Sequence, residues 1–405
     1  MQIYILDKGY DRVGMIDEAE SVLWNKKYND IGACEVYVPC NSEYLGLLKR
    51  GHYLYRDDDD MVCKIRKRDI ETDVDDGDYL TVPASDLCVI LSGRIVRWQI
   101  VYSGTVAGFI ERLLNENVIS PQHAHRRIDR FRFVADTSNG EKFTERIETT
   151  AHNEDLLQLI ISTCKSYNYG FRVTYDMETR EIVFRLYKGK NKAIPTVEEY
   201  VEFSPQYSNI LSTRYTEDES DVKNVVYVTY KGTDEKVYHL SYPDNEDTIT
   251  GEARREIYVD GTGTSRDITY DELAQMYPSV TKETTTGEDE KVTSVYKSDG
   301  ATVATSEGAG EDEKITVSDS TYIKLIRAIA ASALSTHVEK TEFGGEVDTI
   351  DTYVYKQDYD VGDIVYVVNE YGIGAPARIA SVLEADDDED GHTIEPTFEF
   401  EGEED

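Results

Sequence analysis

Hydrophobic positions in the first ninety residues fall in short runs, broken every few positions by Asp, Asn or Gly. The runs MQIYILDK, SVLWNKKY, GACEVYVP, GHYLYRDD, MVCKIRKRDIE and DYLTVPA are rich in Val, Ile, Tyr and Leu. Runs of that length between Asn-Asp, Asp-rich and Asp-Gly breaks predict a β-meander closed as a small barrel or sandwich. Within MVCKIRKRDI the alternation of Val62, Lys64, Arg66 and Arg68 against Cys63, Ile65 and Lys67 is imperfect. That strand alone leaves its buried face open.

From about residue 93 the apolar period lengthens. Val106, Phe109, Ile110, Leu113 and Leu114 recur at helical spacing, as do Leu156, Leu157, Leu159, Ile160 and Ile161. The second helix is expected to be capped by Asn153, with Glu154 and Asp155 complementing its positive end. YGFRVTYD and REIVFRLYKG, joined by METR, have hairpin spacing. Strands resume with EYVEFS, NILSTRYTEDE, KNVVYVTYKG and KVYHLSYP, and then the chain turns polar between roughly 246 and 318. That Gly-, Ser-, Thr- and acid-rich stretch predicts weak burial, as an elaborate loop or a segment that orders on a partner. A long helix follows, with Ile323, Ile326, Ile329 or Ala330, Ala333 and His337 down one face, and four more strands end the chain.

These patterns predict a mainly β protein with α+β inserts: two small β-barrel domains plus inserted α/β domains. Residues 1–92 form the first barrel and 93–198 an α/β insert. Residues 199–245 with 341–405 form the second barrel, and 246–340 a polar insert ending in the long helix. No short fixed-period repeat is present, although the two β regions are alike in kind.

Composition narrows the partners. The 405 residues hold 43 Lys and Arg against 80 Asp and Glu, a formal charge of −37, which repels phosphate backbones and anionic headgroups. No apolar run approaches the roughly 20 residues of a membrane span, and the start MQIYILDKGYDRVG lacks the features of a secretion signal. A cytosol-like site of synthesis, with no stable membrane binding, is the expectation. The five cysteines, Cys34, Cys40, Cys63, Cys88 and Cys164, are scattered without a Cys-x-x-Cys pair, which favours buried free thiols over zinc or disulfides. Tyr outnumbers Phe 30 to 10, and a ring with a hydrogen-bonding tip suits half-buried sheets and subunit interfaces.

Candidate chemistry is sparse. No His-Glu-x-x-His helix, Gly-x-Ser-x-Gly elbow or phosphate-binding Gly-x-x-x-x-Gly-Lys-Ser loop occurs. His123 and His125 offer two imidazoles on one side of a strand, but they sit beside three arginines with no third ligand near. Asp386, Asp388, Asp390 and Gly391 copy the opening of a calcium loop, yet position twelve is Thr397 where a bidentate acid is required. That stretch, Asp57 to Asp60 and Asp73 to Asp78 all read as hydrated turn tips. The sequence therefore predicts no catalytic, cofactor-binding or metal-ligating residue and no cofactor.

In DYDVGDIVYVV, Asp360, Gly362 and Asp363 make a turn before a run apolar on both faces, and NEYGIG breaks that run before APARIASVLEA returns. A hairpin of this order resembles the tail-hub or tail-tip proteins of long-tailed bacteriophages, sometimes described as prophage tail endopeptidases. Gly32 to Pro39 is similar to the family's glycine and alternating strand ending at Pro, and Leu91 to Val96 to its leucine and arginine-isoleucine segment. YGFRVTYDMETREIVFRLYKG resembles its hairpin after a helix, and FSPQYSNILSTRYTEDESDVKNVVYV the entry into its second barrel. The C-terminal segment from Asp358 to Phe400 is the nearest match, whereas residues 246–318 match nothing in the pattern.

The resemblance implies the hub of a baseplate: two small β-barrels per chain, assembled as a homotrimer whose six barrels adapt a sixfold tail tube to a threefold tip. The implied partners are further copies of itself, the distal tail or tail-tube protein, and tip, spike or receptor-binding proteins, with DNA only in transit. It implies a place at the virion tail tip, with the closing hairpin at the ring's subunit seams. Two rival expectations are a peptidoglycan-degrading endopeptidase, usually built with an extra C-terminal hydrolase domain, and a carbohydrate-binding adhesin module. The chain stops at FEFEGEED, which favours the first expectation over the endopeptidase.

Overall fold

The computed structural model describes residues 1–73, 77–195, 199–210, 214–287, 291–308, 313–344, 353–368, 371–372, 374–387 and 391–400. The N-terminal region contributes β1 (Ile3–Leu6), β2 (Arg12–Ile16), β3 (Ser21–Lys27), β4 (Ala33–Pro39), the short helix α1 (Ser42–Leu47), β5 (Tyr53–Tyr55), β6 (Val62–Ile65), β7 (Asp69–Asp73) and β8 (Gly77–Asp86). The expected runs are strands, but they do not pair as a simple meander. The long β8 lies between β4 on one side and β6 and β7 on the other. The imperfect alternation of β6 has a physical cause. Its two faces meet different cores, because Val62 packs with the following insert while Cys63 and Ile65 pack with Trp24, Val36 and Leu80.

The insert holds β9 (Ile100–Thr105), α2 (Val106–Leu114), β10 (Phe131–Ala135), β11 (Arg146–Ala151), α3 (Leu156–Ser166), β12 (Gly170–Asp176) and β13 (Glu181–Tyr187). Strands β12 and β13 are the expected hairpin, and β10 joins β13 in parallel. Phe109, Ile110, Leu113 and Leu114 meet Leu156, Leu157 and Ile160 in one core. The cap of α3 differs from expectation. Asp155 accepts from the Gln158 amide at 3.0 Å, while Asn153 sits two residues earlier with φ +62°.

Two strands, β14 (Glu202–Phe203) and β15 (Arg214–Asp218), then join the large sheet. Next come β16 (Val225–Lys231), β17 (Val237–Tyr242), β18 (Glu256–Asp260), β19 (Asp267–Ile268), α4 (Tyr270–Met276), β20 (Thr281–Thr286), β21 (Val292–Ser298), β22 (Ala301–Glu307), β23 (Lys314–Val317) and α5 (Asp319–Ser335). Two expectations fail here. Residues Val225 to Tyr242 pair with β18 in a separate three-stranded sheet, so they belong with the polar insert and not with the second β region. The polar stretch is itself folded, as a five-stranded sheet with a core of Leu273, Tyr296, Val303, Ile315, Val317, Tyr322 and Ile326. Hydrophobicity hid it because the inward face of β21 reads Ser294, Tyr296, Ser298, and because Thr-rich runs favour strands through β-branching. In α5 the buried stripe is Thr321, Tyr322, Leu325, Ile326 and Ala330, displaced from Ile323 and His337.

The chain returns through β24 (Lys340–Gly344), β25 (Ile364–Val368), β26 (Gly374–Asp387) and β27 (Gly391–Phe400). Among the described residues one hydrogen-bonded path runs β15-β24-β27-β26-β3-β4-β8-β6-β5-β1-β2, with β7 on β8 and β14-β25 on β26. The protein is mainly β, as expected. The two β regions are joined in this sheet, since β26 pairs antiparallel with β3 from Ser381↔Lys27 to Asp387↔Ser21. The closing hairpin exists, with Ile364 opposite Arg378 and Val368 opposite Gly374. Its strand β25 is not a free seam edge, because β14 and the Asn191–Ile364 bridge cover its other side.

Candidate functional site

The N-terminal region, the insert and the C-terminal region meet around Tyr28, which is fully buried. Its amide donates to the Ala380 carbonyl at 2.8 Å, its carbonyl accepts from Phe171 at 3.0 Å and its hydroxyl donates to the Asn168 carbonyl at 2.9 Å. One residue thus ties together three stretches far apart in sequence. The ring fits because Gly170 and Gly362 lack side chains: a Cβ there would fall 2.2 and 2.4 Å from it. Gly362 has φ +98°, a conformation that suits glycine, and its carbonyl accepts from Arg378 Nη1 at 2.8 Å.

Beside this joint lies a network of ion pairs. Lys26 Nζ is 3.3 Å from Asp59 and 2.5 Å from Asp60; Lys356 Nζ is 2.8 Å from Asp59 and 3.2 Å from Glu384. Arg56 joins Asp58 at 2.6 Å to Glu384 at 3.2 Å, and Arg172 joins Asp60 at 3.2 Å to Asp360 at 3.1 Å. The expectation that Asp57 to Asp60 form a hydrated turn tip is therefore wrong for Asp59, while Asp58 and Asp60 are ion-paired but still exposed. The Asp59 side chain is wholly buried, and a buried carboxylate persists only with cations against it. The Arg56 guanidinium holds Asp58 down to about 2. Burial pushes Asp59 up, but Lys26 and Lys356 outweigh it and leave it below the usual carboxylate range. Desolvation opposes Asp60 in the same way, and Arg172 and Lys26 prevail.

A cleft of about 280 Å³ opens on one side of this network, between the end of β13 and residues 356–363. Arg172, Arg185, Lys188, Lys190, Lys192 and Lys356 line it together with Asp136, Asp360 and Asp363, and three of the cations pair with these acids: Arg185 with Asp136, Arg172 with Asp360 and Lys192 with Asp363. Sequence reading missed Lys26, Arg172, Lys190 and Lys356. The one signal, the alternating YKGKNK at 187–192, bears on Lys190 alone.

The candidate ligands from sequence do not converge. His123 precedes and His125 lies within a single 3-10 turn, Ala124–Arg126, and not a strand, with ring centroids 5.6 Å apart. Asp386 pairs with the α-amino group of Met1, and Asp388 and Asp390 lie outside the described residues. Thr397 lies opposite Ser381 inside the β26–β27 ladder. Among the described residues no group of three or more His, Cys, Asp or Glu is placed to hold a metal ion. All five cysteines are free thiols; Cys34, Cys63, Cys88 and Cys164 are buried, whereas Cys40 is half-buried, short of the expected burial. Burial pushes the Cys63, Cys88 and Cys164 thiols well above their ordinary value, which leaves them protonated and poorly nucleophilic. No described helix is long and apolar enough to cross a membrane.

Comparison with known proteins gives the class first: the sequence matches a family of siphovirus tail proteins. The chain belongs to the Siphovirus ReqiPepy6 Gp37-like protein family, whose model matches residues 2–398. The likeness to long-tailed phage proteins seen in the sequence is thereby borne out. Among solved structures, the tail protein from Neisseria meningitidis MC58 aligns with 99% of this chain and 96% of its own at 12% identity and a TM-score of 0.48. The prophage MuSo2 43 kDa tail protein from Shewanella oneidensis covers 98% of each chain at 11% identity and 0.47. Prophage tail protein gp18 from Listeria monocytogenes EGD-e covers 100% and 95% at 12% identity and 0.44. No curated protein matches the sequence.

Proposed function

We propose that this chain is a structural hub at the distal end of a long-tailed phage or phage-like tail. The observation that carries the reading is the β3–β26 pairing, which fixes two β regions side by side in one chain. Three such chains present six β modules around an axis, which suits a ring that continues or closes a sixfold tube and offers a threefold tip. In this reading each β region acts as one barrel-like unit of the ring. Neighbouring copies, the distal tail-tube protein and the tip, spike or receptor-binding proteins are its partners, and the ring opens for genome passage during host entry. The protein is made in the host cytoplasm and ends at the virion tail tip.

The charge supports the same reading. A conduit lined by Lys and Arg would bind duplex at every step through counterion release, whereas a surface with an excess of 37 negative charges per chain repels it. The role is structural and not enzymatic. Negative-stain classes with light scattering test it: threefold rings of three times the chain mass support the hub, and monomers at high concentration overturn it. Incubation with purified cell wall should release neither reducing ends nor free amines.

A further inference from the structure

Two segments of the α/β insert meet in a patch whose charge runs against that of the chain. Residues 94–98, RIVRW, and 123–130, HAHRRIDR, hold five arginines and two histidines against a single acid, Asp129. Arg126 Nη2 donates to the Ile95 carbonyl at 2.6 Å and to the Asn117 side-chain oxygen at 3.2 Å, which holds one segment on the other. The Trp98 ring centre is 6.3 Å from that of His123, and the Arg97 guanidinium lies 5.0 Å from the Trp98 ring. Desolvation, then the charges of Arg94 and Arg97, push Arg126 below its ordinary range, so three like charges are crowded here. Among the described residues none of Arg94, Arg97, Arg126 and Arg130 pairs with a carboxylate; Arg127 meets Asp129 at 3.7 Å, and Asp155, bridged to Ile95, is engaged as the cap of α3. Ile95 and Trp98 are 54% and 48% exposed. Exposed Trp beside unneutralised Arg is the composition of a contact centre between proteins, and it gives the isolated fold nothing.

We propose that the Trp98 and arginine patch of one copy docks on a carboxylate-rich face of a second copy, as a head-to-tail contact. This rests on the homomeric reading above and names the side of the contact that supplies the cations. The charge of the chain selects the occupant, because copies that each carry −37 repel one another unless their contact sets cations against carboxylates. Arg94, Arg97 and Arg130 have no carboxylate of their own to give up. Ile95 and Trp98 add apolar area at the same place, which a phosphate polymer would not use and which the rest of so acidic a surface would keep from it. An arginine-rich patch cannot face its own copy across a twofold axis without opposing like charges, so the contact joins two different patches and closes a ring where the rotation permits.

The test is sedimentation of the full chain over a range of concentrations, at low and high salt, for wild type, Trp98→Ala, Arg97→Glu and a control outside the patch, Arg66→Glu. Arg66 is exposed, and its reversal changes the net charge exactly as much as that of Arg97. Trp98→Ala and Arg97→Glu should each weaken self-association by about tenfold or more, Arg97→Glu should also flatten its salt dependence, and Arg66→Glu should change it by less than about threefold. Circular dichroism melts within a few degrees of wild type exclude misfolding. Equal loss with Arg66→Glu means that net charge alone acts, and overturns the proposal. An oligomer indifferent to both patch variants overturns it and leaves the hub reading standing. A monomeric wild type overturns both. A labelled single-stranded oligonucleotide that binds wild type but not Arg97→Glu assigns the patch to nucleic acid, and also overturns the contact proposed here.

Discussion

Gly189 and Gly362 meet backbone to backbone: a Cβ on Gly189 would lie 1.8 Å from the Gly362 carbonyl oxygen. The exit of the insert hairpin and the turn before β25 are thus pressed together without room for one methyl group. Gly189→Ala forces a backbone shift and should cost about 1–3 kcal/mol or more. Gly362→Val adds a left-handed strain and a clash with Tyr28, and should cost at least as much. Gly46, inside α1, has nothing within 4 Å of its Cβ position, so Gly46→Ala should be neutral or stabilising by up to about 1 kcal/mol. Chemical denaturation of the three variants orders them.

The acidic run beside Arg56 should divide. Asp59→Ala removes the buried carboxylate that Lys26 and Lys356 share, leaving each with its other partner, Asp60 and Glu384, and should cost about 1.5–3 kcal/mol. Asp57 stands exposed at 3.5 Å from an exposed Arg12, so Asp57→Ala should change stability by about 0.5 kcal/mol at most. Equal melting temperatures for the two would refute the network.

Val365 and Val367 are fully buried in β25. A carboxylate at either position has no cation to meet it in the Phe203, Ile379 and Phe398 core, and should cost several kcal/mol. Soluble expression and near-ultraviolet circular dichroism give the readout.

Stability should pass through a maximum in mild acid. Burial holds Asp86 up at about 6, above its unfolded value, so its charge destabilises the fold at neutral pH and protonation between about 6 and 4 removes that cost. Asp58, Glu145 and Glu313 are held down at about 2, chiefly by Arg56 for the first, by Lys188 and Tyr169 against desolvation for the second, and by Lys282, Ser306 and Tyr296 for the third. Their contribution is complete above about pH 4 and lost as pH falls toward 2. Melting temperature against pH, with Asp86→Asn flattening the limb between 6 and 4, checks both signs.

Glu272 fastens the polar insert to the α/β insert. Its carboxylate accepts from the Val101 amide at 3.0 Å and from Arg112 at 3.1 Å, while it also closes the capping box with Thr269. Glu272→Ala should speed hydrogen exchange at Val101 and in α4 while leaving β25 protected, since the two lie in different cores.

The sequence made the strand and helix runs legible because their burial is local. Val36, Val38 and Ile110 point inward at the spacing of their own element. The sheet order was not legible, since nothing in SVLWNKK marks β3 as the partner of a strand whose pairing begins at Ser381. The charged junction was misread for a related reason. Among four successive aspartates nothing marks Asp59 as the buried one until Lys26 and Lys356 arrive from two other parts of the chain. The polar insert escaped because its inward serines, Ser294 and Ser298, carry little hydrophobic signal.

The pairing of Lys27 with Ser381 also sets an order of events at the ribosome. Until the last strands emerge, β3 has β4 on one side and an open main chain on the other. Loop closure over so many residues is slow, and an open edge recruits strands from other molecules. The newly made protein is therefore most vulnerable to aggregation just before its C-terminal hairpin is released. Slowing translation over that final stretch should lower soluble yield more than slowing it anywhere in the inserts, whose strands pair with near neighbours.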